Sequence, residues 1–324
     1  MHIQHDIQIG ISACLLGEKV RYDGGHKLQN YITDTLGKFF SFNSFCPEMA
    51  IGLGAPRETI RLIQKEEGIR CVGTKTEALD VTEKLLYSAQ EQASWHNDLC
   101  GYILKKGSPS CGMERVKLYG LNQNDPNQPQ MKGVGLYAKV LQKNFPYLPI
   151  EEEGRLGDAC LRENFIKRVY AYRHWKDINQ NVLTIGILTE FHAQYKYVLM
   201  SHDQARARAL GKHLSNTALT TTASMAELSK TYLAEFMSIL KVKASTQNHV
   251  NVLQHIQGYL KNEMDKDDKQ ELSETIDQYR QGYLPLIVPV TLLKHHFRRH
   301  PTPYIKNSKY LSPQPSELML LNHI

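Results

Sequence analysis

Apolar residues along this chain follow two different rhythms, and the change falls near residue 150. In the first half, short apolar runs are separated by turn-forming clusters. Residues 7–13 (IQIGISA) are β-rich and stop at Cys14, after which comes a loop with Asp23-Gly24-Gly25. Residues 39–45 (FFSFNSF) form a second run that stops at Cys46-Pro47. Short strands are predicted at 60–63 and 69–72. A buried strand at 99–104 (LCGYIL) leads into Lys105-Lys106-Gly107-Ser108-Pro109-Ser110-Cys111-Gly112. Helical spacing covers 80–96, with Leu85, Leu86 and Ala89 on one side and Asp80 or Thr82 as the cap. It covers 133–143 as well, through Val134, Leu136, Tyr137, Val140 and Leu141. Strands mixed with helices predict an α/β domain built on a Rossmann-like layered sheet. Three of the six cysteines then fall just past the carboxyl ends of strands, the edge where open α/β sheets form ligand crevices.

Around 146–164 the pattern changes. Pro146, Pro149, the run Glu151-Glu152-Glu153, Gly154 and Gly157 read as an exposed connector, which divides the chain into domains at 1–155 and 156–324. Beyond it the period is helical. Residues 160–176 carry Leu161, Phe165, Val169 and Tyr172, and residues 184–199 carry Ile187, Leu188, Phe191, Tyr195 and Val198. Residues 224–240 follow the same rule, another helix begins at Asn248, and 269–283 makes one more. The second domain is therefore expected to be all-α. No internal repeat or low-complexity tract interrupts either half.

Charge sharpens this division. The chain carries a net +6, yet residues 1–164 hold 19 Lys and Arg against 20 Asp and Glu, while 165–324 hold 20 against 13. Ten of the fourteen histidines also lie in the second half. That asymmetry favours a polyanionic partner there, nucleic acid first, over an ordinary solvated surface. No apolar run approaches the roughly 20 residues of a membrane span. The opening MHIQHDIQIGISACLLG has no basic leader with a cleavage site, so the expected location is cytoplasmic. No obligate protein partner is visible. Six cysteines in an intracellular chain do not suggest a disulfide framework.

Cys14, Cys46 and Cys111 are separated by 32 and 65 residues, and none belongs to a CxxC pair. Such spacing disfavours a structural zinc site without excluding one. By spacing alone the three are either ligands of one metal or cluster, or separate buried thiols. Gly and Pro beside each of them let backbone approach a bulky ligand and leave amides free for sulfur. Cys71 and Cys100, inside apolar strand-like runs, read as packed thiols, and Cys160 opens a helix; none of the three is expected to be a ligand.

The segments SACLLGEKVRYDGGHK (12–27), FCPEMAIGLGAPRETIRL (45–62) and GSPSCG (107–112) resemble, in the same order, the bacterial thiouracil desulfurase family, over roughly the first 150 residues. The resemblance implies a [4Fe–4S] cluster with three cysteine ligands, Cys14, Cys46 and Cys111, and one open iron site. It also supports Glu48 as general base or proton carrier and Ser108 as a group that orients water or the ring. Burial beside a cluster would give a carboxyl the protonation behaviour that role needs. The plain alternatives are a helix-capping Glu and a turn Ser. Arg21, Tyr22, Arg57 and Arg61 belong to the matched motifs, and an Arg there is either a contact to a nucleotide or a surface ion pair with Glu58 or Asp23. Lys105 and Lys106 are candidate backbone contacts at the pocket mouth.

Residues 186–215, 247–261 and 279–305 look like an uncharacterised helical family, found alone or behind a desulfurase-like domain; the fused form is what tRNA 4-thiouridine desulfidases look like. This implies tRNA as the substrate. The run Lys294-His295-His296-Phe297-Arg298-Arg299-His300 suits RNA, with cations for phosphate and an embedded aromatic for bases, although a solvated helix end reads the same way. Tyr195-Lys196, Arg206, Arg208 and Lys212 are placed to extend that surface. Metal binding by these histidines is disfavoured by their spacing, and His295 and His296 cannot both point the same way on a helix. The leading expectation is a tRNA 4-thiouridine desulfidase. Its rivals are a desulfurase of free thiouracil or thionucleosides, a non-catalytic RNA-binding or redox-sensing iron–sulfur protein, and a zinc site of three cysteines plus water.

Overall fold

The computed structural model describes residues 7–76, 78–121, 125, 127–216, 222–312, 315, 318 and 320–321. The chain divides into two compact units, Met1–Asp158 and Ala159–Ile324.

The first unit is α/β and contains two four-stranded sheets where one layered sheet was expected. Strands β1 (Ile7–Ser12), β2 (Phe40–Phe45), β5 (Gly101–Leu104) and β8 (Ile150–Glu152) form the first, in the order β2-β1-β5-β8, all parallel. Both faces of β1 are covered, and Ile9 and Ile11 are wholly buried, as a central parallel strand requires. From β1 the chain first adds β2 on one side and later β5 on the other. The switch in direction leaves a crevice at the carboxyl ends of these strands.

The second sheet arises because the runs at 60–63 and 69–72 are joined by the turn Glu66-Glu67 and pair antiparallel, as β3 (Ile60–Lys65) and β4 (Gly68–Gly73). That hairpin pairs onward with β6 (Val116–Tyr119) and β7 (Gln130–Gly133), in the order β4-β3-β6-β7. Its core joins Ile60, Leu62, Val116 and Leu118 with Leu85 and Leu136 from two helices, α2 (Thr82–Glu91) and α4 (Leu136–Asn144). Two shorter helices are α1 (Pro47–Ala50) and α3 (Ala93–His96); the helix expected over 80–96 is thus interrupted at Gln92.

One expectation fails outright. Glu151 and Glu152 are not exposed connector but part of β8, each 3% exposed. Their charges have partners: Arg155 donates to Glu151 at 2.6 Å, and Glu152 accepts the Met113 N–H at 2.9 Å.

The second unit is helical: α5 (Ala159–Ile178), α6 (Ile185–His202), α7 (Gln204–Asn216), α8 (Thr222–Lys241), α9 (Thr246–Gln257), α10 (Lys266–Arg280), α11 (Ile287–Arg299) and α12 (Pro303–Lys306). Helix α9 begins two residues before the expected Asn248, because Ser245 caps it by accepting the Asn248 N–H. Aromatic rings knit α5, α6 and α8, with Trp175 stacked on Tyr232 at 5.7 Å and Phe191 5.1 Å from Phe236. Among the described residues no helix is long and apolar enough to cross a membrane.

Candidate active site

The crevice at the ends of β1, β2 and β5 opens into a cavity of about 390 Å³ lined by Cys14, Cys46 and Cys111. Each cysteine is placed by the local chain. Cys14 lies in a 3-10 turn directly after β1, which closes at Gly17 with a φ of +94°, a conformation that suits glycine. Cys46 follows β2 and leads into α1, with Pro47 at its first position. Cys111 ends the loop after β5. There the first amides of α4, which have no intrahelical acceptor, bond the loop instead: Leu136 N–H to Pro109 and Ala138 N–H to Ser110, at 3.0 and 3.2 Å. The backbones cross so closely that a Cβ on Gly135 would lie 2.5 Å from the Ser110 carbonyl oxygen.

The acidic run completes the support. Glu153 binds Lys105 Nζ at 2.5 Å and the Lys106 N–H at 2.6 Å, and Lys105 N–H donates to Ser12 Oγ at 2.9 Å. The exits of β1, β5 and β8 are thereby joined.

Glu48, on α1, is the best-held charge in the cavity. Arg57 donates to its Oε2 from Nη2 at 2.6 Å and Nε at 3.1 Å. Ser110 donates to its Oε1 at 2.6 Å, whereas Ser108 stands at 3.3 Å. The two hydroxyls are 2.9 Å apart, and Ser108 also accepts the Cys111 N–H at 3.2 Å. Burial, then the charge of Cys46, pushes the Cys14 thiol up to about 11. Burial likewise raises Cys46, where the amides of Met49 and Glu48 partly offset it. Cys111 goes up through burial, then Cys46 and Glu48. Three thiols that burial and mutual repulsion keep protonated become thiolates readily only against added positive charge.

Residues 9–153 match the family model described as 2-thiouracil desulfurase. The first domain is similar to that family over those residues. Residues 196–315 match a protein family of unknown function, DUF1722. An uncharacterized Escherichia coli K12 protein, YbgA, is 28% identical over 153 residues, which is 47% of this chain and 89% of that one. A solved structure described as a [4Fe–4S]-dependent thiouracil desulfidase, TudS, is 31% identical over 47% of this chain and 94% of its own, with a TM-score of 0.37.

In this first domain the sequence reading and the geometry differ at Arg57. That side chain is no free anchor for a nucleotide, nor does it pair with Glu58 or Asp23; its guanidinium is committed to Glu48 and to the carbonyls of Val20 and Gly54. Arg61 packs 5.2 Å over the Tyr119 ring, in the second sheet, and does not line the cavity. Arg21, Tyr22, Lys105 and Lys106 do line it; Arg21 is 3.5 Å from Asp23 and 5.2 Å from the Tyr22 ring. Ser110 went unread in the sequence although it adjoins Cys111, because a Ser-Pro-Ser loop does not show which hydroxyl turns inward. Also unread was a buried hydrogen-bonded row, His96 Nε2 to Tyr137 at 2.6 Å and Tyr137 to Tyr102 at 3.1 Å, whose Tyr137 ring stacks on the cavity-lining Phe45 at 5.3 Å. Cys71 and Cys100 are fully buried and Cys160 partly so, and none lines the cavity. Among the described residues no three His, Cys, Asp or Glu side chains form a site for a single metal ion.

In the second domain, Lys294, His295, Arg298 and Arg299 are exposed on α11. His296 is not: it is 2% exposed and continues the buried spacing of Pro289, Val290 and Leu293, so it leaves the set of candidate RNA contacts.

Proposed function

We propose that this protein is a [4Fe–4S]-dependent desulfidase that converts 4-thiouridine in tRNA to uridine and releases sulfide. The observation that carries this reading is the meeting of Cys14, Cys46 and Cys111 with Glu48 on one cavity. The donor set fits the cluster: three soft sulfur donors, from three separate strand ends, with glycine- and proline-rich backbone beside them. Cys14, Cys46 and Cys111 would hold it. When bound, it supplies a Lewis-acidic iron for the sulfur of a thiocarbonyl.

The chain's own residues supply the proton chemistry. The oxygen of one water replaces the sulfur on the ring carbon, and the sulfur leaves as sulfide, so no oxidant or reductant is required. Glu48 takes the proton of that water. Arg57 fixes one carboxylate oxygen and Ser110 the other, so the carboxylate cannot swing away. Ser108, more weakly bonded to Glu48, aims the water or the ring. Arg21, Tyr22 and the Lys106 chain at the cavity receive the ribose and phosphate of the nucleotide.

The macromolecular substrate is supported by the charge of the helical half and by the exposed cations of α11. The test is to load the protein with iron and sulfide under anaerobic conditions and mix it with tRNA rich in 4-thiouridine. Loss of the thio-base matched by released sulfide is expected. Consumption of free thiouracil with tRNA untouched would keep the desulfidase and remove tRNA.

A further inference from the structure

Helix α11 ends at Arg299 with His300 as its cap, Pro301 breaks the helical run, and α12 begins at once after Thr302 with Pro303 at its first position. Between the two helices lies a second cavity, of about 580 Å³, well within the roughly 300–1,000 Å³ of small-ligand sites. Its charged groups are all of one sign, beside an apolar lining from Pro301, Ile305 and Leu311. Lys294 and Arg298 come from one stripe of α11, four residues apart, with Phe297 beside them. Lys306 enters from the end of α12, and Thr291, Thr302, Ser308 and Ser312 add hydroxyls. No carboxylate lines this cavity among the described residues.

The neighbouring acids are engaged elsewhere. Asp268 stands 4.0 Å from Arg299 and 3.9 Å from His296, and Glu263 stands 3.6 Å from His300. Lys294 and Lys306 have no side-chain hydrogen bond or ion pair among the described residues, and Arg298 touches only His295, at 3.5 Å. Three cations therefore face one hollow without counter-charge, around an aromatic ring that is only partly covered. A lone phosphate would leave the ring unused, and an apolar ligand would leave the cations desolvated and unpaired.

We propose that this cavity binds one nucleotide unit of an RNA strand, the base against Phe297 and the phosphate against Lys294, Arg298 and Lys306. This rests on the reading of tRNA as substrate, and it assigns part of the grip on tRNA to a defined pocket rather than to a diffuse basic surface. Arg299 and His295 lie outside it.

The full-length protein is tested with two probes: tRNA, by binding at several salt concentrations, and uridine 5′-monophosphate, by NMR titration. Two variants separate the interactions. Replacing Lys294, Arg298 and Lys306 together by Ala should weaken tRNA binding at least about tenfold and lower the slope of log affinity against log salt by about 3. Phe297→Leu should weaken it about tenfold and leave the slope in place, and Phe297→Tyr should restore it. Loss of affinity for either probe in both variants, with unchanged circular dichroism, upholds the pocket. Wild-type affinity and slope for tRNA in both variants, with no variant-sensitive binding of the mononucleotide, overturns it. Sulfide release from tRNA by the wild-type protein decides the parent reading separately. Binding of the mononucleotide without any tRNA binding would keep the pocket and remove the tRNA reading.

Discussion

The two cavities, one in each domain, use charge in opposite ways. Around the three cysteines most charged groups have a partner within the domain: Arg57 with Glu48, Lys105 with Glu153, Arg21 with Asp23. Each pair fixes a loop or a carboxylate in place. On α11 and α12 three cations have no such partner among the described residues. Internal pairing gives geometry that holds without a ligand, whereas unpaired cations raise the potential at a surface and wait for an external anion. Chemistry that must aim a proton calls for the first arrangement, and capture of a polyanion calls for the second.

The sharpest way to break the contrast is at the thiols. Cys14→Ala, Cys46→Ala or Cys111→Ala should each abolish iron incorporation and sulfide release together while tRNA affinity remains; iron content, labile sulfide and a tRNA binding curve report all three. Next comes Glu48→Gln, which keeps the shape and removes the proton acceptor. Its iron content should be normal and its turnover lower by about 10²–10⁴-fold. Turnover close to that of the wild type would take Glu48 out of the reaction.

Arg57→Ala should act on stability more than on iron. The Arg57 and Glu48 side chains are 6% and 14% exposed, so the variant leaves a mostly buried carboxylate without its cation, a loss of about 3–5 kcal/mol in a denaturant titration of the first domain. A loss below about 1 kcal/mol would mean that the pair is no anchor.

Acid should separate the domains in the other direction. Burial lowers His174 and His192 to about 4 and His202 to about 3 in the helical domain, and His96 to about 4 in the first. A folded-state pKa below the unfolded value near 6.5 means that the unfolded chain binds the proton first. Stability therefore falls as pH drops from about 6.5 and stops falling below the folded value. With three such groups against one, the helical transition should move further than the other between pH 7 and pH 5 in calorimetry; equal shifts would count against these burials. The smallest effect is expected at the serines. Ser110→Ala should lower kcat about tenfold, and Ser108→Ala by less, as their unequal distances to Glu48 imply.

Helices α2, α4, α5, α6, α8, α9 and α10 and most strands were legible because apolar spacing is local, whereas α7, α11 and α12 were not marked out. The placement of the three cysteines after strands was legible too, since each strand ends where its apolar run ends. The second sheet was not, because pairing of 60–65 with 116–119 is a long-range choice that spacing does not encode. The acidic run 151–153 misled for a related reason. Three adjacent glutamates look solvated until the partners Arg155, Met113 and Lys105 are brought beside them by the fold. His296 was read together with the exposed cations of its run, but the spacing from Pro289, Val290 and Leu293 on the same helix places it on the buried side.

Cys14, Cys46 and Cys111 stand 32 and 65 residues apart and sit on turns after three different strands. No partial nest exists in a growing chain, because a nascent segment that has released Cys14 and Cys46 still lacks β5 and the loop behind it. Capture of the proposed cluster by all three thiols would thus wait until β1, β2 and β5 have come together. The reverse holds too. A group tied to three strand ends adds its binding free energy to the resistance of that sheet to unfolding, so damage to it would first appear as a softened N-terminal half.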